Sequence, residues 1–208
     1  MSETIKITNK NTITISGEVV ELNGSFTKGK VEFNEITVSV PRLSGVLDYI
    51  NIVYKSSCVD EPIDLLDHVK FTGSIRSRSV ERSDGHRGLS IYVYVDTSIE
   101  VNTTRDNINE FELEGYVCKE VISRKTPFGR RVTDVFLANN GPARSYYLPM
   151  IGFGQISDKF ENLSVGDKLI CKGRFQSRIY SKTLDTGEVL AKTAFELLVS
   201  DFEKVDEQ

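Results

Sequence analysis

The chain has 208 residues, 39% hydrophobic and 27% charged, with 26 Lys and Arg against 30 Asp and Glu, giving a net charge of −4. That composition is ordinary for a folded globular protein and excludes wholesale disorder, and the acidic balance excludes a generally basic nucleic-acid binder. No apolar run approaches the roughly 20 residues of a membrane span, and MSETIKITNKN has no apolar leader core, so a cytoplasmic location with no membrane partner is expected.

Period-two alternation runs through the chain and predicts strands over residues 12–22, 31–40, 49–56, 68–80 and 89–99. Between the third and fourth lies EPIDLLD, where Pro62 suits a first helical turn and Asp60 its cap, which predicts a short helix. Residues 102–109 are polar without apolar periodicity and read as a linker. A second series follows, with strands over 111–122, 132–138 and 145–153, a short helix around 156–162, and strands over 167–180 and 189–202. Gly17 and Gly115 sit in mid-strand, where a sharp bend lets a first strand serve both sides of a small barrel. Five strands with a short helix between the third and fourth is the order of an OB-fold. The predicted class is therefore all-β, two tandem OB-folds, each a five-stranded Greek-key barrel, over residues 1–104 and 105–208.

The two series are copies of one unit. Asp67, Gly73, Ser77 and Arg78 recur as Asp167, Gly173, Ser177 and Arg178 at an offset of 100. Ahead of them Ile13, Ile15, Gly17 and Val19 match Phe111, Leu113, Gly115 and Val117 at an offset of 98, and behind them Ile91, Val93 and Val95 match Phe195, Leu197 and Val199 at 104. A period near 100 residues is too long for a solenoid unit and fits a whole small domain.

Nothing in the pattern supports catalysis, a cofactor or a metal. Cys58, Cys118 and Cys171 are odd in number and lack CxxC spacing, which predicts inert thiols. GSFTKGKV approaches a phosphate-binding loop at Gly24, Gly29 and Lys30, but Val31 stands where Ser or Thr must hold magnesium and a strand follows instead of a helix. His68 and His86 lie in no ligand or nucleophile pattern, and the carboxylates are too scattered to form an acid/base pair.

Charge is segregated along the chain. Residues 123–182 hold eleven Lys or Arg against four Asp or Glu, the last eight residues, DFEKVDEQ, hold four acids and one lysine, and Arg76, Arg78, Arg82 and Arg87 form a weaker basic cluster in the first copy. In the second copy the cations interleave with aromatics. The hairpin SRKTPFGRRV presents Arg124, Lys125, Phe128, Arg130 and Arg131; strand RSYYLPMIGFGQ carries Tyr147 and Phe153 on one face; and the fourth strand and its loop carry Arg174, Arg178, Tyr180 and Lys182. Such a surface suits single-stranded nucleic acid, whose unpaired bases stack on rings while cations follow the backbone. Phe136, Phe175 and Phe195 read as core. Tyr92 and Tyr94 point away from the Ile91, Val93, Val95 face, toward either an interface or a binding surface.

The second copy resembles the bacterial single-stranded DNA-binding protein family over residues 111–202. The resemblance rests on an aromatic heading strand 3 and a hydrophobic run ending in Phe-Gly, Tyr147 to Phe153-Gly154, then on SVGDKLICKGRFQSRIY, which ends in Tyr180 seven residues after Gly173. It implies non-enzymatic binding of single-stranded DNA in replication, recombination or repair, with Tyr147, Phe153 and Tyr180 stacking on bases. The chain departs from the family in having no tryptophan, the family's usual stacking residue, and two folds instead of one with a long glycine-rich tail, a variant of the kind a phage or mobile element would carry. Single-fold members form tetramers, so the resemblance implies a homodimer with four OB-folds, and partners among replication or recombination proteins. The first copy reads as degenerate: Tyr54 matches Phe153, Asp48 and Val80 stand where Tyr147 and Tyr180 lie, and Tyr54, Arg76 and Arg78 are its candidate binding residues. The alternative is an OB-fold adaptor that contacts replication proteins and binds little nucleic acid itself.

Overall fold

The structure, a computed structural model, describes residues 10–81, 85, 87–102, 106–126, 128–183, 187 and 189–205. Alternation becomes strand as expected. The first copy forms β1 (Asn11–Lys28), β2 (Val31–Pro41), β3 (Leu47–Lys55), β4 (His68–Glu81) and β5 (Arg87–Val95), followed by the two-residue β6 (Glu100–Val101). The second forms β7 (Ile108–Val117), β8 (Ile122–Lys125), β9 (Arg131–Asn140), β10 (Ser145–Phe153), helix α1 (Gln155–Phe160), β11 (Lys168–Thr183) and β12 (Val189–Val205).

β1 pairs with β4 over Ile13–Glu18 and then with β2 over Glu18–Lys28, so one strand does serve both sides of a barrel. Gly17 stands at the turnover because a Cβ there would overlap the Ser39 carbonyl oxygen. In the second copy the same strand is broken. β7 pairs with β11 and, at its end, with β9, and β8 resumes against β9 after four residues outside the ladder. Each barrel closes through a parallel pairing, Ile52–Tyr54 of β3 on Val93–Val95 of β5, and Met150–Ile151 of β10 on Leu197–Leu198 of β12. The resulting circuit, first strand to second, third, fifth, fourth and back to first, is the OB-fold circuit, present twice. Alternate residues such as Ile13, Ile15, Ile50, Ile52, Ile75 and Val93, and in the second barrel Leu113, Leu148 and Phe175, fill the interiors.

The copies differ at the barrel end under strand 3. In the second copy α1 covers it: Gly152 has no side chain, and a Cβ there would come 2.6 Å from Ile156 and 2.9 Å from Phe160 of the helix. In the first copy the matching residue is Tyr54, which brings its own ring, only 4% exposed, into the barrel end. EPIDLLD accordingly forms turns instead of the expected helix, and the helical element of this copy is a single 3-10 turn at Ser56–Cys58.

A local two-fold axis relates the copies. β1 and β7 pair antiparallel with Ile13 opposite Phe111, Asn11 opposite Leu113 and Ile15 opposite Asn109, an arrangement unchanged when the copies are exchanged. Asn11 brackets the backbone of Ile75 with two 2.8 Å hydrogen bonds, and Asn109 does the same at Phe175. Across the junction the Tyr147 N–H donates to Ser77 Oγ at 3.0 Å and the Tyr49 N–H to Ser177 Oγ at 2.8 Å, while Arg144 and Arg42 donate to the carbonyls of Ser77 and Ser177. The symmetry breaks at Asp48, fully buried between the guanidinium groups of Arg42 and Arg174 and accepting from the Ser177 N–H at 2.9 Å. Its counterpart is Tyr146, whose ring lies 4.9 Å from the Arg144 guanidinium and 5.7 Å from that of Arg76.

Candidate nucleic-acid interface

β10 sends Leu148 and Met150 into the barrel and turns Tyr147, Pro149 and Phe153 outward, so that Tyr147 is 50% and Phe153 38% exposed. Six strand residues separate the two rings by roughly 20 Å, which assigns them to different nucleotides of any bound strand. The Tyr147 backbone is fixed by Ser77 of the other copy, so this ring is held by the junction as well as by its own strand. Phe136, expected in the core, faces outward instead: it stands opposite Pro149 in the β9–β10 ladder, half-buried, with the Lys119 ammonium 4.5 Å from its ring. The strand parity of Val135 and Leu137, both buried, carries that signal. Phe175 is core as expected, and Phe195 packs on it at 6.1 Å while remaining half-buried at the junction groove.

The hairpin between β8 and β9 is exposed, with Phe128 at its tip 92% accessible and Gly129 turning at φ 77°. Arg124 holds Asp134 through two hydrogen bonds of 2.6 and 3.0 Å, which raises its already high pKa, and Arg131 reaches Asp158 at 3.1 Å and Glu161 at 3.4 Å. Lys125 and Arg130 are exposed on the same hairpin. On β11 Arg178 pairs with Glu196 at 2.9 Å and lies 5.7 Å from the half-exposed ring of Tyr180. The Arg124 and Arg131 pairs are exposed and worth about 0–1 kcal/mol each, so a phosphate can take the place of the carboxylate there at little cost, whereas Glu196 is mostly buried and holds Arg178 more firmly.

Three expected binding residues are engaged elsewhere. Arg174 pairs at the junction with buried Asp48, and separating such a pair costs about 3–5 kcal/mol. Tyr54 offers no face to a base, because strand 3 of the two copies aligns with an offset of 98: Ile52 pairs Val93 as Met150 pairs Leu197. Tyr54 therefore matches Gly152, Lys55 matches Phe153, and a reading one residue off exchanges the two faces of the strand. Arg76 is committed to the Tyr94 ring at 3.4 Å and reaches toward Tyr146 across the junction, 5.7 Å from its ring. Arg78 remains exposed, paired with Glu35 at 3.1 Å and 5.3 Å from Tyr92. The side chain of Lys182, Arg82 and His86 lie outside the described residues.

The aligned register identifies Tyr49 as the counterpart of Tyr147. It is 37% exposed and lines a groove with Thr37, Asn51, Ile179 and Phe195. Its neighbours oppose phosphate: Thr37 donates to Glu21 at 3.1 Å, where the second copy places Phe136 and Lys119. Carrying the offset of 98 from the first strand into the third would have found it in the sequence.

No known family profile and no curated protein matches this chain. Among solved structures it is similar to wild-type single-stranded DNA binding protein from Thermus aquaticus, with a TM-score of 0.76 and 17% identity over 96% of this chain and 95% of that one. A deletion variant of the same Thermus protein gives 0.75 and 16%, covering 96% of both chains. At this identity the likeness is one of fold, and it holds across both barrels and their junction. Among the described residues no helix is long and apolar enough to cross a membrane.

Proposed function

We propose that this protein binds single-stranded DNA in the cytoplasm without catalysing a reaction, serving replication, recombination or repair of a cell, phage or mobile element. The observation that carries the reading is the pair of exposed rings at the two ends of β10, Tyr147 and Phe153, with Phe136, Lys119 and the cationic β8–β9 hairpin beside them. Bases stack on Tyr147, Phe153 and Tyr180, and Arg124, Lys125, Arg130, Arg131 and Arg178 follow the backbone. The name of the Thermus protein and the shared fold support this. The units are residues 1–104 and 105–208, the second dominating because Glu21 borders Tyr49 on the first. Self-association to four barrels and contacts with replication proteins complete the reading.

The test is a titration of labelled oligo(dT) at rising salt. Five phosphate contacts predict a log–log slope of roughly −3.5, at about −0.7 per contact on single strands. Absence of binding at low salt removes the proposal and favours an adaptor, a role the existing carboxylate partners of Arg124, Arg131 and Arg178 would suit.

A further inference from the structure

The barrel end that α1 covers in the second copy is an open groove of about 490 Å³ in the first. From β9 and β10, Arg131, Thr133 and Gly152 touch α1: Arg131 pairs with Asp158 and Glu161, Thr133 Oγ1 lies 2.8 Å from Ser157 Oγ, and Gly152 makes room for Ile156 and Phe160. Their ladder counterparts Glu32, Asn34 and Tyr54 all line the groove. Its floor is apolar, with Ile36, Val59 and Ile63, and its rim is acidic, with Glu32, Asp60 and Glu61 exposed. The loop that bounds it ends in Leu65 and Leu66, 54% and 70% exposed. Leu66 is held at φ 72°, where the second copy has Gly166, in a turn whose N–H donates to the Val19 carbonyl as that of Gly166 does to Val117.

The same chain carries a complementary element. Phe128 projects 92% exposed from a hairpin tip flanked by Lys125 and Arg130, an apolar anchor ringed by the charge that the groove lacks. A cavity of about 150 Å³ already admits benzene, so the groove has room for this ring. We propose that the β8–β9 hairpin of one molecule docks in the helix-free groove of a second copy, Phe128 on the apolar floor and Lys125 and Arg130 against Glu32, Asp60 and Glu61. This rests on the self-association proposed above and gives it a surface; because Lys125 and Arg130 then face carboxylates instead of phosphates, docking and the hairpin's hold on DNA exclude each other. Because donor and acceptor lie on different barrels, the contact joins molecules either reciprocally into a closed pair or head to tail into an open chain.

Sedimentation velocity of the full chain without DNA, over a range of concentration and salt, tests it. Association should rise with concentration and weaken with salt. Phe128→Ala and the double change Glu32→Lys with Glu61→Lys should each weaken it at least about tenfold, the weight of an anchor at an interface. All three positions are exposed, so melting curves should stay unchanged. Mixing the Glu32→Lys, Glu61→Lys chain with a Lys125→Glu, Arg130→Glu chain should restore association. A chain that stays monomeric at every concentration, or associates equally well with these substitutions, overturns the contact. Oligo(dT) titration of the unmodified chain beside its sedimentation separates the two proposals: a chain that associates as described but binds no oligonucleotide at low salt loses the DNA reading alone, and one that binds oligonucleotide but stays monomeric loses the docking contact alone.

Discussion

Tyr147 and Tyr54 lie on neighbouring elements of one fold pattern, yet truncation should read out differently at each. Tyr147→Ala removes an exposed ring and should weaken oligonucleotide binding by about 1–3 kcal/mol while leaving the melting temperature in place. Tyr54→Ala empties a buried site and should cost about 3–5 kcal/mol of stability, with little change in affinity per folded molecule. An isotherm and a melting curve on each variant check both. The thiols supply a further residue-scale outcome. Burial, and secondarily the charge of Asp201, pushes Cys171 up to about 12, and burial also raises Cys118. A thiol held neutral in the fold stabilises it below the unfolded pKa of about 8.5, and that contribution is lost as pH rises above it toward the folded value. A native-state thiol assay at mildly alkaline pH should therefore leave Cys171 unmodified until the chain unfolds. Rapid stoichiometric labelling of Cys171 in the folded protein would contradict the placement.

At the scale of elements, the exchange of Gly152 with α1 for Tyr54 without a helix makes Gly152 the more sensitive position. Gly152→Ala puts a methyl group 2.6 Å from Ile156 and 2.9 Å from Phe160, and overpacking of this kind costs about 1–3 kcal/mol, measurable by denaturant titration. The strands themselves were legible because period-two alternation states which residues enter a barrel, and the repeat made each copy a check on the other. Register was less legible: the offset drifts from 98 to 100 to 104 along the copy, so a one-residue error at strand 3 sent Tyr54 outward and hid Tyr49. Phe136 was misplaced because an aromatic between Val135 and Leu137 looks like core by type and is outward only by parity. Arg174 had no local signal at all, since its partner Asp48 lies 126 residues away in the other copy.

At the scale of the molecule, the junction is built like the interface of a two-fold dimer enclosed in one chain. It joins β1 to β7 over six residue pairs, adds the reciprocal Ser77 and Ser177 contacts, and seals one side with Asp48 between Arg42 and Arg174. Such an interface should not depend on the covalent connection through residues 102–107, since Ile108 and Asn109 already belong to the ladder. Fragments 1–104 and 105–208, prepared separately and mixed, should therefore form a one-to-one complex, whether each half is folded beforehand or becomes ordered on meeting the other. Asp48→Ala in the first fragment strips Arg174 of the second fragment, and Arg42 beside it, of their buried partner, a loss of about 3–5 kcal/mol and hence of roughly two to three and a half orders of magnitude in association. Size-exclusion chromatography and circular dichroism of the mixture measure both effects. Halves that remain apart while the intact chain folds would show that the linker, and not the junction, holds the barrels together; halves that combine equally well with Asp48→Ala would show that the β1–β7 ladder carries the interface without the buried ion cluster.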